Sequence, residues 1–202
     1  MEAKQIAWCI KQHNKVNHMY DNYLPYEFHL RMAANVAKQF QYLLDDTVDY
    51  HTGKKEFSSR GGYDESETLR SVCIAAVWGH DLIEDTHINF NDIVTHLESR
   101  AVAEVIYAVS NEKGRNRKER ANAKYYEGIR RTKGAVFVKL CDRIANVQYS
   151  KLTKSKMFEM YKNENLEFGV SLGIADAPNH MYYPMYQYLI NLFNSELTDF
   201  KN

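Results

Sequence analysis

Apolar residues return at intervals of three and four almost from end to end of this chain, and that spacing restricts it to a fold built of helices. Ile6, Cys9, Ile10 and His13 share one face of a first segment, and Phe28, Met32, Val36 and Phe40 recur every fourth residue in a second. Leu69, Val72, Cys73, Ala76 and Val77 define a third helix, which runs on into WGHDLIED. Shorter pieces follow around 90–97 and 101–109. The stretch AVFVKLCDRIANV opens with Val136 and Val138 as a strand would, but Ile144 and Val147 continue it at helical spacing. A last aromatic-rich segment, about 181–197, carries Pro184 in its first turn, where a missing amide is tolerated, and is expected to pack back on the body. Three prolines and nine glycines in 202 residues are too few for a chain of many short strands and tight turns. The expected fold class is all-α, and the length suits one domain over 1–202 with a single buried core.

Two stretches interrupt the rhythm. Residues 45–65 are polar with paired glycines and read as a long loop or insertion, and 111–120, NEKGRNRKER, are polar and lead into another helix. Residues 153–202 read as a helical C-terminal extension. Its Tyr182, Tyr183, Tyr186 and Tyr188 fit packing or a self-association face, so a homo-oligomer stays open.

Twenty-six Lys and Arg balance 26 Asp and Glu, so no excess positive charge exists to bind nucleic acid non-specifically. No apolar run approaches the roughly 20 residues that span a bilayer, and MEAKQIAWCIKQ lacks the features of a secretory signal. Cys9, Cys73 and Cys141 have no CxxC spacing and sit in helical apolar patterns, which fits buried free thiols in a reducing, cytoplasmic setting.

The chemistry concentrates in Gly79-His80-Asp81-Leu82-Ile83-Glu84-Asp85-Thr86. Adjacent His and Asp offer a nitrogen and an oxygen to a shared cation, and Glu84 and Asp85 follow Asp81 by three and four residues, on neighbouring parts of one helical face. Taken alone, this fits a solvated acidic helix end as well as a metal site. Two further residues bear on the choice. His29 opens an amphipathic helix after Pro25-Tyr26, and Asp142 sits in the otherwise core-like Val138-Lys139-Leu140-Cys141-Asp142-Arg143-Ile144-Ala145-Asn146. A buried carboxylate costs several kcal/mol, roughly, unless a partner such as Arg143 or a metal holds it.

The set resembles the HD-domain metal-dependent phosphohydrolases, whose signature is a first His, an adjacent His-Asp pair and a distant Asp. It looks most like the alarmone hydrolases, which remove the 3′-pyrophosphate from (p)ppGpp. The matching residues, in that family's order, are Pro25-Tyr26 with His29, His80-Asp81 with Glu84-Asp85-Thr86, and Lys139-Leu140 with Asp142-Arg143 and Asn146, over about residues 5–152. The resemblance implies a helical HD-domain bundle in which His29, His80, Asp81 and Asp142 ligate one divalent ion, Mn²⁺ foremost. It further implies that Glu84 and Asp85 orient or deprotonate the attacking water and manage the leaving group's proton. Asn146 would hydrogen-bond the nucleotide, with Lys139 beside it in the same motif. The basic run between Lys113 and Lys133 suits the phosphates away from the metal, with Lys113 and Arg117 the favoured contacts. No synthetase or regulatory segment is recognisable, so a stand-alone hydrolase is expected.

The pattern departs from the family in three places. Tyr20-Asp21 stands where the family has an Arg-Lys pair, which makes Tyr20 or Tyr23 a candidate to stack on the base. Leu30 replaces the proline after the first histidine, and the 45–65 stretch lengthens the interval between His29 and His80. His51 in that stretch could serve as an extra ligand, a lid residue or, foremost, a surface histidine, and His13, His18, His87, His96 and His180 have no partner pattern. The alternatives are an HD-type nucleotidase or phosphodiesterase and, in another class, a non-catalytic nucleotide-binding module.

Overall fold

The computed structural model describes residues 1–47, 49–52, 67–111 and 114–195, with the side chains of Arg117 and Lys118 excepted. Most of the polar 45–65 stretch and Lys113 therefore lie outside the described residues. The rest is helical as expected, in the order α1 (Ala3–Lys15), α2 (Glu27–Phe40), α3 (Leu69–Gly79), α4 (Leu82–Asp85), α5 (Phe90–Leu97), α6 (Arg100–Val109), α7 (Arg117–Arg120), α8 (Ala123–Arg131), α9 (Ala135–Leu152), α10 (Met157–Ser171) and α11 (Tyr183–Asn194). Local chemistry sets several starts. Thr68 and Asn89 cap α3 and α5 in reciprocal boxes with Ser71 and Asp92, and Ser99 and Asn122 accept from the first-turn amides of α6 and α8.

α9 is the axis of the molecule. It packs against α2, α3, α6, α8, α10 and α11. A helix surrounded in this way must be apolar on nearly every face, and Phe137, Leu140, Cys141, Ile144, Ala145 and Val147 are all fully buried. That settles the ambiguity at Val136 and Val138 in favour of helix. The tail folds back as expected: α11 lies on α9 through Met185, Tyr186, Leu189 and Phe193.

Two details depart from the periodicity. The third helix does not run through WGHDLIED: it stops at Gly79, and Asp81 (φ −102°, ψ 4°) starts the separate turn α4. Consecutive side chains on an unbroken helix point about 100° apart, so the break is what lets His80 and Asp81 turn to one point. The second is a small antiparallel hairpin, β1 (Met19–Tyr20) with β2 (Leu24–Pro25), whose reversal uses left-handed Asp21 (φ 53°) and Asn22 (φ 65°). Strands of two residues leave no periodicity to read, although Asp-Asn is a turn signal.

The start of α9 is fixed against α3. Gly134 has φ +87°, and a Cβ there would lie 2.6 Å from Cys73 Sγ. Gly134→Ala therefore adds left-handed strain to an overpacked contact, and a loss of about 2–4 kcal/mol is expected. Urea denaturation checks this; a midpoint equal to wild type would contradict it.

Candidate metal and nucleotide site

Three helices deliver the central side chains. His29 comes from the first turn of α2, His80 and Asp81 from the break between α3 and α4, and Asp142 from the middle of α9. The packing of α2 and α3 on α9 brings them together, although 113 residues separate His29 from Asp142 (142 − 29). His29 and His80 are almost fully buried, and Asp81 and Asp142 are each 15 % exposed at the side chain.

The donor atoms converge closely. His29 Nε2 lies 3.2 Å from His80 Nε2, and Asp142 Oδ1 lies 3.4 Å from the first and 3.8 Å from the second. The ligand atoms of these three side chains all lie within 4.8 Å of one another. Donors about 2.1 Å from a common cation are about 3.0 Å apart at a right angle and about 3.4 Å apart at the tetrahedral angle. The observed edges match that scale. Imidazole protonation agrees as well: His80 Nδ1 donates to the Val77 carbonyl at 2.7 Å, which leaves Nε2 to offer its lone pair, and buried His29 Nδ1 has no partner. The residues present fit a divalent cation of borderline to hard character.

Asp81 joins from one side. Its Oδ2 is 2.8 Å from His80 Nε2 and 3.7 Å from His29 Nε2, and it accepts a short hydrogen bond from the Tyr26 hydroxyl. It therefore meets both imidazoles as closely as Asp142 does. Burial opposes a charge on His80, yet the Asp81 and Asp142 carboxylates outweigh it and raise the imidazole to about 9. The raised value marks strongly negative surroundings at His80, which a bound cation would equally offset.

Asp142 is held on both oxygens. Oδ2 takes the Lys139 ammonium at 3.1 Å and Oδ1 takes the Asn146 amide at 2.6 Å. Burial opposes ionisation, but Lys139 and the histidines keep this carboxyl well below its ordinary range. The partner is Lys139; Arg143 instead pairs with Glu164 at 3.4 Å and lies over the rings of Tyr161 and Phe168. Asn146 passes the network on, because its Oδ1 accepts from the Tyr20 hydroxyl at 2.8 Å. Tyr20 stacks on His29, centroids 4.9 Å apart, so one face of its ring is engaged with a cluster histidine.

The cluster opens into a cleft of about 820 Å³ lined by Asp81, Glu84, Asp85, Asp142 and Asn146, among others. Glu84 accepts from Asn111 twice, from the backbone amide at 3.2 Å and the side-chain amide at 2.6 Å. Burial, with Asp81 and Glu84 close by, lifts the Asp85 carboxyl to about 7. Positive charge comes from Arg120, Arg130 and Lys139. Of the two basic residues favoured in the sequence, Lys113 lies outside the described residues and Arg117 has no described side chain.

Sequence reasoning missed several contributors. Asn111 was visible only as part of a polar stretch. Tyr161, Glu164, Phe168 and Ser171 line the cleft from α10, and no local motif marked them. His13 and His18 pair with each other, Nδ1 to Nδ1 at 3.1 Å, and both rings pack on Tyr26. His51 is exposed and pairs with Glu67 at 2.9 Å, in keeping with a surface histidine.

No family model matches the chain, and no curated protein or solved structure matches it at a significant level.

The Asp85 shift makes a sign-definite stability prediction for the metal-free protein. The folded carboxyl holds its proton more tightly than the unfolded one, from 3.8 up to about 7. Its contribution is complete below the lower value and lost as pH rises through the upper one. Asp85→Asn should therefore gain in melting temperature over wild type between about pH 4 and 7, with the gap constant above that range. Thermal melts in chelator test this, and a gap independent of pH would refute it.

Proposed function

We propose that this chain is a metal-dependent phosphohydrolase of the HD type acting on small phosphorylated nucleotides, with the 3′-pyrophosphate of (p)ppGpp-like alarmones as the favoured scissile group. The observation that carries this reading is the meeting of His29, His80 and Asp142, with Asp81 alongside, at the edge of a cleft that also holds two further carboxylates and fixed cations. A merely structural cluster would have little use for two buried imidazoles that each lie within 4 Å of both carboxylates.

When bound, a divalent cation, Mn²⁺ foremost, supplies Lewis acidity to a phosphoryl oxygen and makes a nearby water more acidic. The protein's own groups do the rest. Tyr26 fixes Asp81, and Lys139 with Asn146 fixes Asp142, so the donor set is held in place before any ligand arrives. Glu84, tethered by Asn111, stays an acceptor and orients the attacking water. Asp85, lifted to about 7, is matched to exchanging a proton near neutrality, the condition for general acid–base work. Arg120 and Arg130 supply the positive charge for phosphates away from the scissile group.

A second reading keeps the chemistry and changes the substrate to a mononucleotide or a cyclic or oligomeric nucleotide. It is favoured by Tyr20, which stands in the place of the family's nucleotide-binding basic pair and is engaged with His29 and Asn146.

Three measurements test the proposal. Elemental analysis should find a divalent ion that Asp142→Ala and Asp81→Ala lose; full retention in both would overturn the ligand assignment. Glu84→Gln should keep that ion and lower kcat by roughly 10²–10⁴, and wild-type turnover would remove its role. A product-resolved screen with Mn²⁺ over ppGpp, ppApp, mononucleotides and cyclic dinucleotides should release pyrophosphate from the first two alone. Release of orthophosphate from mononucleotides would favour the second reading, and binding without turnover of any of them would leave a nucleotide-binding module.

A further inference from the structure

α1 ends in a turn that folds its last histidines onto each other. Asn17 takes φ 51°, and the His18 amide donates to the His13 carbonyl at 3.1 Å. The two Nδ1 atoms lie 3.1 Å apart. His18 stacks on Tyr26, centroids 3.7 Å apart and planes within 17°, and the Tyr26 hydroxyl donates to Asp81. His13, fully buried, backs His18 and Tyr26, with no partner on Nε2 among the described residues. The His18 ring therefore cannot swing inward. Its Nδ1 faces Asp85 Oδ2 at 3.9 Å.

We infer that His18 is a positioning residue for Asp85, its Nδ1 fixing the orientation from which that carboxyl handles a proton. The inference rests on the proposed role of Asp85. The 3.9 Å separation is longer than a hydrogen bond, and such catalytic contacts are commonly long before substrate arrives and shorten in the complex. Burial lowers the affinity of both imidazoles for a second proton, His13 to about 4, so near neutrality the Nδ1–Nδ1 contact holds a single proton. His18 Nδ1 is then shared between His13 and Asp85, and a change at the carboxyl is felt by the histidine pair.

The bland alternative is that His18 only fills space beneath Tyr26. Phenylalanine separates the two, since it keeps the stacked ring and removes the nitrogen, while asparagine restores a polar atom near the Nδ1 position. In the Mn²⁺-loaded protein, His18→Phe should lower kcat about tenfold or more with KM within about twofold and metal content unchanged, and His18→Asn should recover part of the loss. In an Asp85→Asn background, His18→Phe should cost nothing further. An equal loss in both backgrounds, or loss of metal, would overturn the positioning role. A readout independent of turnover separates this inference from the proposed activity. In ¹⁵N-histidine-labelled, Mg²⁺-loaded protein, Asp85→Asn should move the His18 Nδ1 resonance, and an unmoved resonance would overturn the inference. Failure of wild type to hydrolyse any nucleotide, with the resonance still responding, would count against the activity alone.

Discussion

Four ionisable side chains crowded into the interior set the terms for the rest of this structure. His29 and His80 lie against each other and each lies within ion-pair distance of both Asp81 and Asp142, in a region almost closed to water, and like groups placed so are mutually repulsive. Such a cluster survives only if surrounding groups absorb its charge and fix its atoms. Lys139, Asn146, Tyr26 and the Val77 carbonyl do that from four different places in the chain. Much of α9's sequence follows from this requirement: it must be apolar to serve as the axis, yet carry Lys139, Asp142 and Asn146 along one face at intervals of three and four.

The same demand accounts for what the sequence made legible. The helices are set by apolar spacing, and the helices at 90–97, 100–109 and 135–152 lie where the periodicity puts them. Asp142 stood out as a charge in an apolar pattern, His80-Asp81 as an adjacent pair followed by carboxylates, and His29 through the family resemblance; the geometry gathers all four. What sequence hid is non-local. The helix break at His80-Asp81 follows Gly79, which the Ile106 side chain approaches closely, and neither feature has a local signal in the sequence. An arginine such as Arg143 or a metal was expected to hold Asp142, but Lys139 pairs with it and Arg143 turns to Glu164 and two α10 rings that line the same cleft. The histidines without a pattern, His13 and His18, gained one only when a left-handed Asn17 folded one back on the other.

The cleft has two walls of different origin. One, from Asp81, α4 and α9, carries the carboxylates and falls within the motif-bearing part of the chain. The other, from α8 and α10, brings Arg130, Tyr161 and Phe168, and α10 belongs to the extension after residue 152. Under the proposed function, the reacting group would be served by the first wall and the identity of the nucleotide by the second.

Tyr20 reaches Asn146 across 126 positions of sequence, and Asp142 reaches His29 across nearly as many. No contiguous fragment of modest length contains the cluster, so closing it requires the two halves of the molecule to dock first, at the entropic cost of a long loop. The site is thus a property of the completed fold rather than of any part that forms early. A ligand that binds only there favours the native state over every partially folded one, by about 2.7 kcal/mol at a hundred times its Kd. Ion availability would then govern how long the folded molecule persists as well as what it can do.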